Sequence, residues 1–255
     1  MLRPLFLATL ALSACSAPTP APDAGDPPFF EDGLIAPDDS IPCTPSDGGP
    51  AQLDCNHHGS SVAELKDGTI AISWFHGIAE KSPDSRILWS RRTAQAWSAP
   101  EILYDDPALA EGNSTLWVHE NGDLLLFFVN IVGAGWPEAR MRLIRSTDSG
   151  KTWSAPVTLF DQDCWMLRYP PVRLKSGELF LPAYVECLAL PSFVRSKDDF
   201  STWKVEEKWK EGNWLLDHVG AIQPSLVRLA NDDLSEGGAR PPPGPTARRG
   251  RPASR

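Results

Sequence analysis

Ser146-Thr147-Asp148-Ser149-Gly150-Lys151-Thr152-Trp153 is the stretch of sequence from which the fold of this chain can be inferred. It fits the pattern S-x-D-x-G-x-T-W and has the composition of a tight hairpin turn. The carboxylate of Asp148 can accept hydrogen bonds from nearby backbone amides, and Gly150 can adopt the positive φ that such a turn requires. Trp153 can pack beneath the turn. The stretch therefore predicts two β-strands joined by a turn that its own side chains stabilise.

Similar turns recur along the chain at a nearly constant spacing. The turn positions, each between short apolar runs, are Gly68, Gly122, Gly177 and, where Gly would stand, Asp232. They are 54, 55 and 55 positions apart. Degenerate copies of the first stretch stand at residues 90–97 and 196–203, so each unit has the order strand, turn, strand, strand and Trp-containing turn. A repeat of this length with short strands and no helical pattern is typical of one four-stranded propeller blade.

The sequence resembles the sialidase superfamily and, within it, bacterial proteins with BNR or Asp-box repeats. The resemblance covers about residues 55–234 and rests on the full Asp-box, on HHGSSVAEL, GNST and IQPSLVRL, and on the WSAP that closes the first two boxes. Such proteins form six-bladed propellers, and their characterised members hydrolyse terminal sugars, typically sialic acids. The resemblance implies an all-β fold, a partial six-bladed sialidase-type β-propeller with about three and a half blades. The structural residues of its full box are Ser146, Asp148, Gly150, Thr152 and Trp153.

The first fifteen residues have the features of an export signal. Arg3 is followed by an apolar core at residues 5–12, which is too short to span a bilayer as a mature helix. Leu12-Ser13-Ala14-Cys15 matches the lipobox of bacterial lipoproteins. The match implies cleavage before Cys15, acylation of its thiol and attachment to the outer membrane or cell envelope. A plain secretory signal with a coincidental cysteine is the alternative.

The composition of two further segments sets them apart from the repeat. Residues 16–50 are rich in Pro, Ala, Asp and Gly and predict a flexible tether, which places the incomplete propeller at residues 51–234. Residues 235–255 carry five Arg and one Glu among many Pro and predict a disordered basic tail. We interpret this tail as the product of a frameshift or truncated gene model. Nucleic-acid binding is the alternative, which we disfavour for an exported lipoprotein.

Four cysteines remain once Cys15 is assigned to lipidation. They are Cys43, Cys55, Cys164 and Cys187, and an even number in an exported chain suggests disulfides with three possible pairings. Cys164 and Cys187 lie at nearly equal distances in sequence from the turn of the third unit, so they face each other across its hairpin. We predict a Cys164–Cys187 disulfide, which leaves Cys43–Cys55 to pin the tether to the first strand. Free thiols are the alternative.

Three of the four units have a polar residue at the predicted start of their first strand, and the first unit has a glycine there. The positions nine residues before each turn residue are Gly59, Asn113, Arg168 and Gln223. In a propeller these innermost strands line the central channel, so the four side chains would converge on one axis. Their neighbours at the same level are His58, Ser114 and Tyr169. Converging polar groups in a concavity predict a ligand site, although they can also simply solvate a channel filled with water.

The loops after the second strands supply candidates for acid–base chemistry. Glycosidases need a carboxylic acid for the leaving group, and the resemblance implies a Tyr nucleophile polarised by a Glu. Asp84 is our candidate acid/base, with Glu80 in the same loop as a substrate contact. Arg168 is the candidate clamp for an anionic sugar, because a guanidinium binds a carboxylate in bidentate fashion. Tyr184 and Glu186 form a candidate polarising or binding pair that would share one face of a strand.

The sequence departs from sialidases in ways that leave its substrate open. No F-R-I-P segment precedes the first unit, and the further Arg residues and nucleophilic Tyr of sialidases would come from later blades. Another terminal sugar, or a uronate cleaved by lyase chemistry, is therefore an alternative to sialic acid. A non-catalytic propeller that binds glycans or proteins is a further alternative. We expect a glycan partner, membrane attachment through Cys15, no cofactor, no metal and no nucleic acid. With its edges open, we expect this chain to be marginally stable and inactive.

Overall fold

The computed structural model describes residues 41–45, 48–92, 96–206, 222–231 and 234–239. All of them belong to one compact unit, Ile35–Arg255. Their regular structure consists of β-strands in four antiparallel sheets, together with two short 3₁₀ turns. Within these ranges no helix is both long and apolar enough to cross a membrane.

The strands follow one another in sequence order within each sheet, which we call a blade. Blade 1 contains β1 (Asn56–Glu64), β2 (Ile70–Gly77), β3 (Arg86–Arg92) and β4 (Glu101–Tyr104). Blade 2 contains β5 (Ala110–Val118), β6 (Leu124–Ile131), β7 (Ala139–Ser146) and β8 (Val157–Phe160). Blade 3 contains β9 (Trp165–Leu167), β10 (Val172–Arg173), β11 (Leu179–Val185), β12 (Leu190–Ser196) and β13 (Lys204–Glu206). The two-stranded blade 4 contains β14 (Ile222–Arg228) and β15 (Leu234–Ala239), and the 3₁₀ turns are Trp136–Glu138 and Glu186–Leu188.

The first strand of each blade runs from what we call the upper end to the lower end. At the lower end the predicted glycines close the first hairpins, because the N–H groups of Gly68, Gly122 and Gly177 donate to carbonyl oxygens three residues earlier at 2.8–3.0 Å. The chain then returns in the second strand and reaches the upper end again in a loop. The Asp-box turns lie at the lower end. The predicted all-β architecture of three complete blades and part of a fourth is confirmed.

The hydrophobic core lies between neighbouring blades, and β6 is buried over its whole length. Its even-numbered residues from 124 to 128 belong to the cluster that includes Ile87 and Trp89 of blade 1. Its odd-numbered residues from 125 to 129 belong to the cluster that includes Leu167 and Leu181 of blade 3. Successive side chains of a strand point to opposite faces, so a strand covered on both faces needs apolar residues at every position. The run LLLFFV therefore places blade 2 between two others.

The turn at residues 146–153 is stabilised by its aspartate, as the sequence predicts. Asp148 Oδ1 accepts hydrogen bonds from the Ser146 hydroxyl at 2.8 Å and the Thr152 N–H at 2.9 Å. Its Oδ2 accepts the Thr152 hydroxyl at 2.6 Å. The N–H of Gly150 donates to Ser146 Oγ at 2.9 Å. These hydrogen bonds, above all that from the Thr152 side chain, lower the pKa of Asp148 to about 2.

We expect Asp148→Asn to lower the melting temperature at pH 5 and to have no effect near pH 2. Because the folded-state pKa lies below the ordinary value of 3.8, the carboxylate stabilises the fold above pH 3.8 and ceases to do so as the pH falls towards 2. Asn keeps one oxygen acceptor, but its Nδ2 cannot accept the Thr152 hydroxyl. Thermal melts followed by circular dichroism at both pH values measure the difference. A difference of the same size at pH 2 would contradict this explanation.

The copy at residues 196–203 makes the same turn without glycine. Its Asp198 carboxylate makes the hydrogen bonds that Asp148 makes in the full copy, and Phe200 adopts φ 64° at the position of Gly150. Phe200 packs edge-to-face on Phe127 of blade 2, with 5.1 Å between ring centroids. Gly150 instead leaves room for the indole of Trp89 from blade 1. In each turn an aromatic ring fills the space towards the preceding blade. The turn itself supplies this ring at Phe200, whereas the preceding blade supplies it at Gly150.

Two predicted boundaries shift. Residues 41–45 fall within the tether predicted at 16–50, yet they lie against blade 1, where the N–H of Thr44 donates to Asp84 at 2.9 Å. The tail predicted at 235–255 begins later, because β15 extends to Ala239 and pairs with β14. In both cases backbone hydrogen bonds order a segment whose composition resembles a linker. The predicted signal at 1–15 with Cys15, and residues 240–255, lie outside the described residues.

Candidate functional site

The four predicted channel positions lie at irregularities of the first strands, not at their starts. The strands begin one to three residues earlier. The register of their pairing with the second strands shifts around residues 59, 113 and 223. Gly59, Asn113 and Gln223 adopt φ of 68°, 47° and 55°. Arg168 stands at the break between β9 and β10. A β-bulge redirects side chains, and a non-glycine residue with positive φ costs about 1–3 kcal/mol and is typical of functional sites.

Side chains from three blades meet at the hydroxyl group of Tyr184. Tyr184 lies in β11 and is 2% exposed. Asn113 Nδ2 of blade 2 donates to its Oη at 3.4 Å, and Gln223 of blade 4 lies near enough to this hydroxyl to lower its pKa. Arg168 Nη1 donates to the carbonyl oxygen of Ser60 in blade 1 at 3.1 Å. We call these five residues the hub; it contains the predicted channel positions of blades 2, 3 and 4 and, from blade 1, Ser60, the neighbour of Gly59.

The hub keeps the Tyr184 hydroxyl protonated. Burial is the main cause that raises the pKa of Tyr184, and the nearby charge of Glu186 raises it further. The hydrogen bonds from Asn113 and Gln223 and the charge of Arg168 act in the opposite direction but are weaker. At neutral pH the phenol therefore donates and accepts hydrogen bonds. This environment suits the binding role predicted for Tyr184 and does not generate a phenolate nucleophile.

Glu186 is close to Tyr184, although the predicted reason for this was wrong. β11 ends at Val185, and Glu186 begins the 3₁₀ turn Glu186–Leu188, so the two residues do not share the face of one strand. The turn itself brings the carboxylate towards the hub. Glu186 is half-buried, and this burial raises its pKa. The charge of Glu186 adds to the rise in the pKa of Tyr184, which puts the two groups in one neighbourhood.

The loop between β2 and β3 carries the other predicted acids at the upper end of blade 1. Both oxygens of Asp84 lie 3.2 Å from the N–H of Ile78, and Oδ2 also accepts the N–H of Thr44 at 2.9 Å. Asp84 thus stabilises its own loop and the segment before β1. Glu80 pairs with His58, with 3.1 Å between Oε1 and Nδ1. The structure therefore brings Glu80 to His58, whereas Asp84 contacts backbone groups.

Exposed rings stand beside the hub. Tyr169 is 41% exposed, and the Arg168 guanidinium lies 6.0 Å from its ring centroid. Trp136 is half-buried and packs edge-to-face on Phe75, with 6.1 Å between ring centroids. Aromatic faces of this kind combine an apolar surface with nearby polar groups. Ser114, in contrast, is fully buried and donates to the carbonyl oxygen of Gly59 at 3.4 Å, so it joins blades 1 and 2 and is not available to a ligand.

The four cysteines of the described residues form two disulfides, Cys43–Cys55 and Cys164–Cys187, which is the pairing set out above. Their Cα atoms are 5.9 and 5.4 Å apart. The first disulfide holds the segment before β1 at the upper end of blade 1, where Arg86 Nη2 donates to the carbonyl oxygen of Pro42 at 2.7 Å. The second lies next to Glu186. Both disulfides therefore tie down segments that carry or contact predicted site residues.

Glu111 is an acidic residue that the sequence did not reveal. It is fully buried between blades 1 and 2, and its Oε1 accepts Asn130 Nδ2 at 2.7 Å and the N–H of Asp106 at 3.1 Å. Its Oε2 has no hydrogen-bond partner among the described residues. Burial raises the pKa of Glu111 to about 9, with smaller contributions from neighbouring carboxylates. A Glu at the start of a predicted strand looks solvent-exposed, so no local signal marks it.

The upper end gathers polar, charged and aromatic groups from several blades. The hub supplies neutral amide and hydroxyl groups and one guanidinium, and the surrounding loops supply carboxylates and aromatic faces. Hydroxyl-rich ligands are recognised by groups of this kind. No cluster of three or more His, Cys, Asp or Glu suited to a metal ion occurs within the described ranges.

Known proteins resemble the chain in sequence and in fold. Residues 68–236 match the family model of the BNR repeat-like domain. A sialidase from Bacteroides fragilis (strain YCH46) is 27% identical over 152 residues, which cover 55% of this chain and 28% of that protein. A Dyadobacter fermentans DSM 18053 protein of unknown function superposes with a TM-score of 0.59 at 16% identity, over 78% of this chain and 64% of that chain. The intramolecular trans-sialidase from Ruminococcus gnavus gives 0.58 at 10% identity, over 72% and 65%.

These similarities agree with the repeat and with the blades. The structural relatives confirm the predicted fold class, a partial sialidase-type β-propeller. The chain spans less than two thirds of the length of each of these relatives. Since the family model covers well over half of the chain, the chain belongs to the BNR repeat-like domain family of the sialidase superfamily.

Proposed function

We propose that this chain belongs to a glycoside hydrolase of sialidase type that removes terminal sugars from glycans, and that the hub holds the sugar. One observation carries the proposal. Asn113 and Gln223 stand at bulged positions of two blades; Asn113 donates to the hydroxyl of Tyr184 on the blade between them, and Gln223 lies near enough to this hydroxyl to lower its pKa. Strained polar residues that converge in this way are typical of a binding site. The sialidase among its sequence relatives supports sugars as the ligand class.

The roles follow from the chemistry of each group. Arg168 is the clamp for an acidic substituent of the sugar, because its guanidinium can form charge-assisted hydrogen bonds to a carboxylate. The exposed ring of Tyr169 can stack on the apolar face of a pyranose. Asp84 is the candidate acid/base at the upper end, and Glu186 and Tyr184 form the pair that contacts the sugar from blade 3. Glycosidic cleavage needs two such groups on opposite sides of the anomeric carbon.

A non-catalytic glycan-binding propeller is the second candidate, and two observations favour it. The carboxylate of Asp84 already accepts two backbone N–H groups, those of Ile78 and Thr44. Tyr184 remains protonated at neutral pH, so it lacks the charge of a nucleophile. Under this candidate the hub binds a glycan without cleaving it.

The two candidates are separated by measuring binding and turnover on the same purified full-length protein that contains this chain. Fluorogenic sialosides, rhamnosides and uronate oligosaccharides test cleavage, and calorimetry with the matching unlabelled glycans tests binding. We expect Asp84→Asn to reduce turnover by about 10²–10⁴-fold with affinity unchanged. We expect Arg168→Ala to weaken binding of an anionic glycan by about 10–100-fold.

Arg91→Ala is the matched control, because Arg91 lies at the lower end of β3 and pairs with the exposed Glu101. We expect it to leave both binding and turnover unchanged. Binding without turnover would establish the second candidate, and an unsaturated product would indicate lyase chemistry on a uronate. If no glycan binds to the wild-type chain, both candidates are wrong.

We further propose that the chain is exported and anchored to a membrane through Cys15. Two disulfides in the described part of the chain support this, because disulfides persist in oxidising compartments. Cys15→Ser should move the protein from the membrane fraction to the soluble fraction of the envelope. Membrane retention of this variant would contradict lipid anchoring.

A further inference from the structure

We infer that the Cys164–Cys187 disulfide is a positioning device that holds the Glu186 carboxylate at the edge of the hub. The inference rests on the proposed function, in which Glu186 is part of the sugar site. It goes beyond that function because it assigns to the disulfide a role in the geometry of the site, in addition to any contribution to stability.

The 3₁₀ turn that carries Glu186 has few stabilising contacts of its own. None of the three residues of the turn Glu186–Leu188 is buried, and Leu188 is 55% exposed. Within the turn a single hydrogen bond joins the Ala189 N–H to the Glu186 carbonyl oxygen at 3.2 Å. A 3₁₀ turn of this length has poor hydrogen-bond geometry and little stability of its own. The pairing of Val185 with Leu190 closes the hairpin at the base of the turn, and a contact outside the hairpin fixes the turn relative to its surroundings.

Cys164 provides this contact and so anchors the turn through two bonds. Its carbonyl oxygen accepts the N–H of Glu186 at 2.6 Å, and its sulfur is bonded to Cys187, the next residue along the chain. The residue that carries the carboxylate is thus fixed on one side by a backbone hydrogen bond and on the other by a covalent bond. Restricting a site residue to one arrangement before the ligand arrives is what preorganisation requires.

The anchor is itself fixed to the neighbouring blade. The N–H of Cys164 donates to the carbonyl oxygen of Pro137 at 2.5 Å, and Pro137 belongs to the 3₁₀ turn Trp136–Glu138 of blade 2. Cys164 also adopts φ 73°, a conformation that its surroundings must enforce. Through this hydrogen bond the disulfide, which lies within blade 3, is tied to the upper loop of blade 2.

The test compares two double variants of the full chain, each of which lacks one disulfide. Cys164→Ser with Cys187→Ser removes the anchor, and Cys43→Ser with Cys55→Ser is the matched control at blade 1. The titration of Glu186 is followed by NMR of ¹³C-labelled glutamate carboxyl groups, with the signal assigned by its loss in Glu186→Gln. We expect the pKa of Glu186 to fall towards its ordinary value in the first variant only, because the freed turn becomes solvated.

The second measurement uses the glycoside that the wild-type chain cleaves best. We expect kcat of the Cys164→Ser/Cys187→Ser variant to fall by about 10–100-fold while KM changes little, since a displaced group costs rate more than binding. The control variant should keep its kcat. Loss of stability alone would affect both variants and would not move the titration of a single carboxyl group.

An unchanged Glu186 titration in the Cys164→Ser/Cys187→Ser variant would overturn the inference. A wild-type chain that cleaves no glycoside would contradict the proposed hydrolase function, and the titration would still decide the inference. If the serine pair does not fold, Cys164→Ala with Cys187→Ala removes the bond without adding a polar group, and the same two outcomes apply to it.

Discussion

Glu111→Gln is expected to stabilise the protein by about 3 kcal/mol at pH 7 and to leave its stability unchanged at pH 4. Glu111 is fully buried, and its pKa is raised to about 9 from an ordinary value of 4.5. Folding therefore favours the protonated acid. The stability is fully present below pH 4.5 and is lost as the pH rises towards 9, by about 1.4 kcal/mol per unit. Gln keeps an oxygen that accepts Asn130 Nδ2 and never ionises.

Urea unfolding of the wild type and the variant at pH 4, 5.5, 7 and 8.5 measures this effect. The difference in the free energy of unfolding isolates Glu111, because other titrating groups contribute equally to both proteins. Glu64→Gln on the exposed part of β1 is the matched control, and we expect it to give no gain that grows with pH. A Glu111→Gln difference that is the same at pH 4 and pH 8.5 would show that the carboxyl group is not held protonated in the fold.

Gly150→Val is expected to cost about 3–5 kcal/mol of stability, whereas Gly177→Val is expected to cost about 1–2 kcal/mol. Both glycines have positive φ, 83° and 86°, which a β-branched residue adopts with strain. A Cβ at position 150 would also overlap the indole of Trp89, which is 3% exposed and cannot move aside. A Cβ at position 177 meets no atom within 4 Å. The pair of variants therefore separates backbone strain from the clash between blades.

Chemical denaturation of both variants at pH 7 provides the comparison. Globular proteins are stable by about 5–15 kcal/mol, so the Gly150→Val variant should unfold at a much lower urea concentration. Trp89→Leu should recover part of the loss in the Gly150→Val background, because a smaller side chain vacates the space. Equal costs at the two glycines would mean that the Asp-box turn does not depend on its contact with blade 1.

The channel positions could be located from the sequence because the repeat is regular. Counting nine residues back from each turn residue reaches Gly59, Asn113, Arg168 and Gln223, and the structure brings these positions together. The bulges at three of them could not be predicted. A bulge is a mismatch between two paired strands, so it depends on the register of the partner as well as on the residue itself.

The hydrogen-bond partners of the acidic residues could not be predicted from the sequence either. Asp84 accepts a hydrogen bond from Thr44, forty positions away, and this contact exists only once the chain is folded. Glu186 lies in a 3₁₀ turn where continuation of β11 was expected, because the chain turns back after Val185 so that Leu190 of β12 can pair with it. Glu111 has the same local sequence features as an exposed glutamate. Its burial comes from blade 1 packing over it.

The sequence alone determined the features that depend on neighbouring residues and on periodicity. The Asp-box turns, the spacing of the blades, the pairing of the cysteines and the apolar run LLLFFV of β6 all follow from local turn chemistry and from the alternation of side chains along a strand. Tertiary structure alone decided which polar groups meet and which carboxyl groups carry a charge. Hydrogen bonds and desolvation depend on groups that folding brings together from distant parts of the chain.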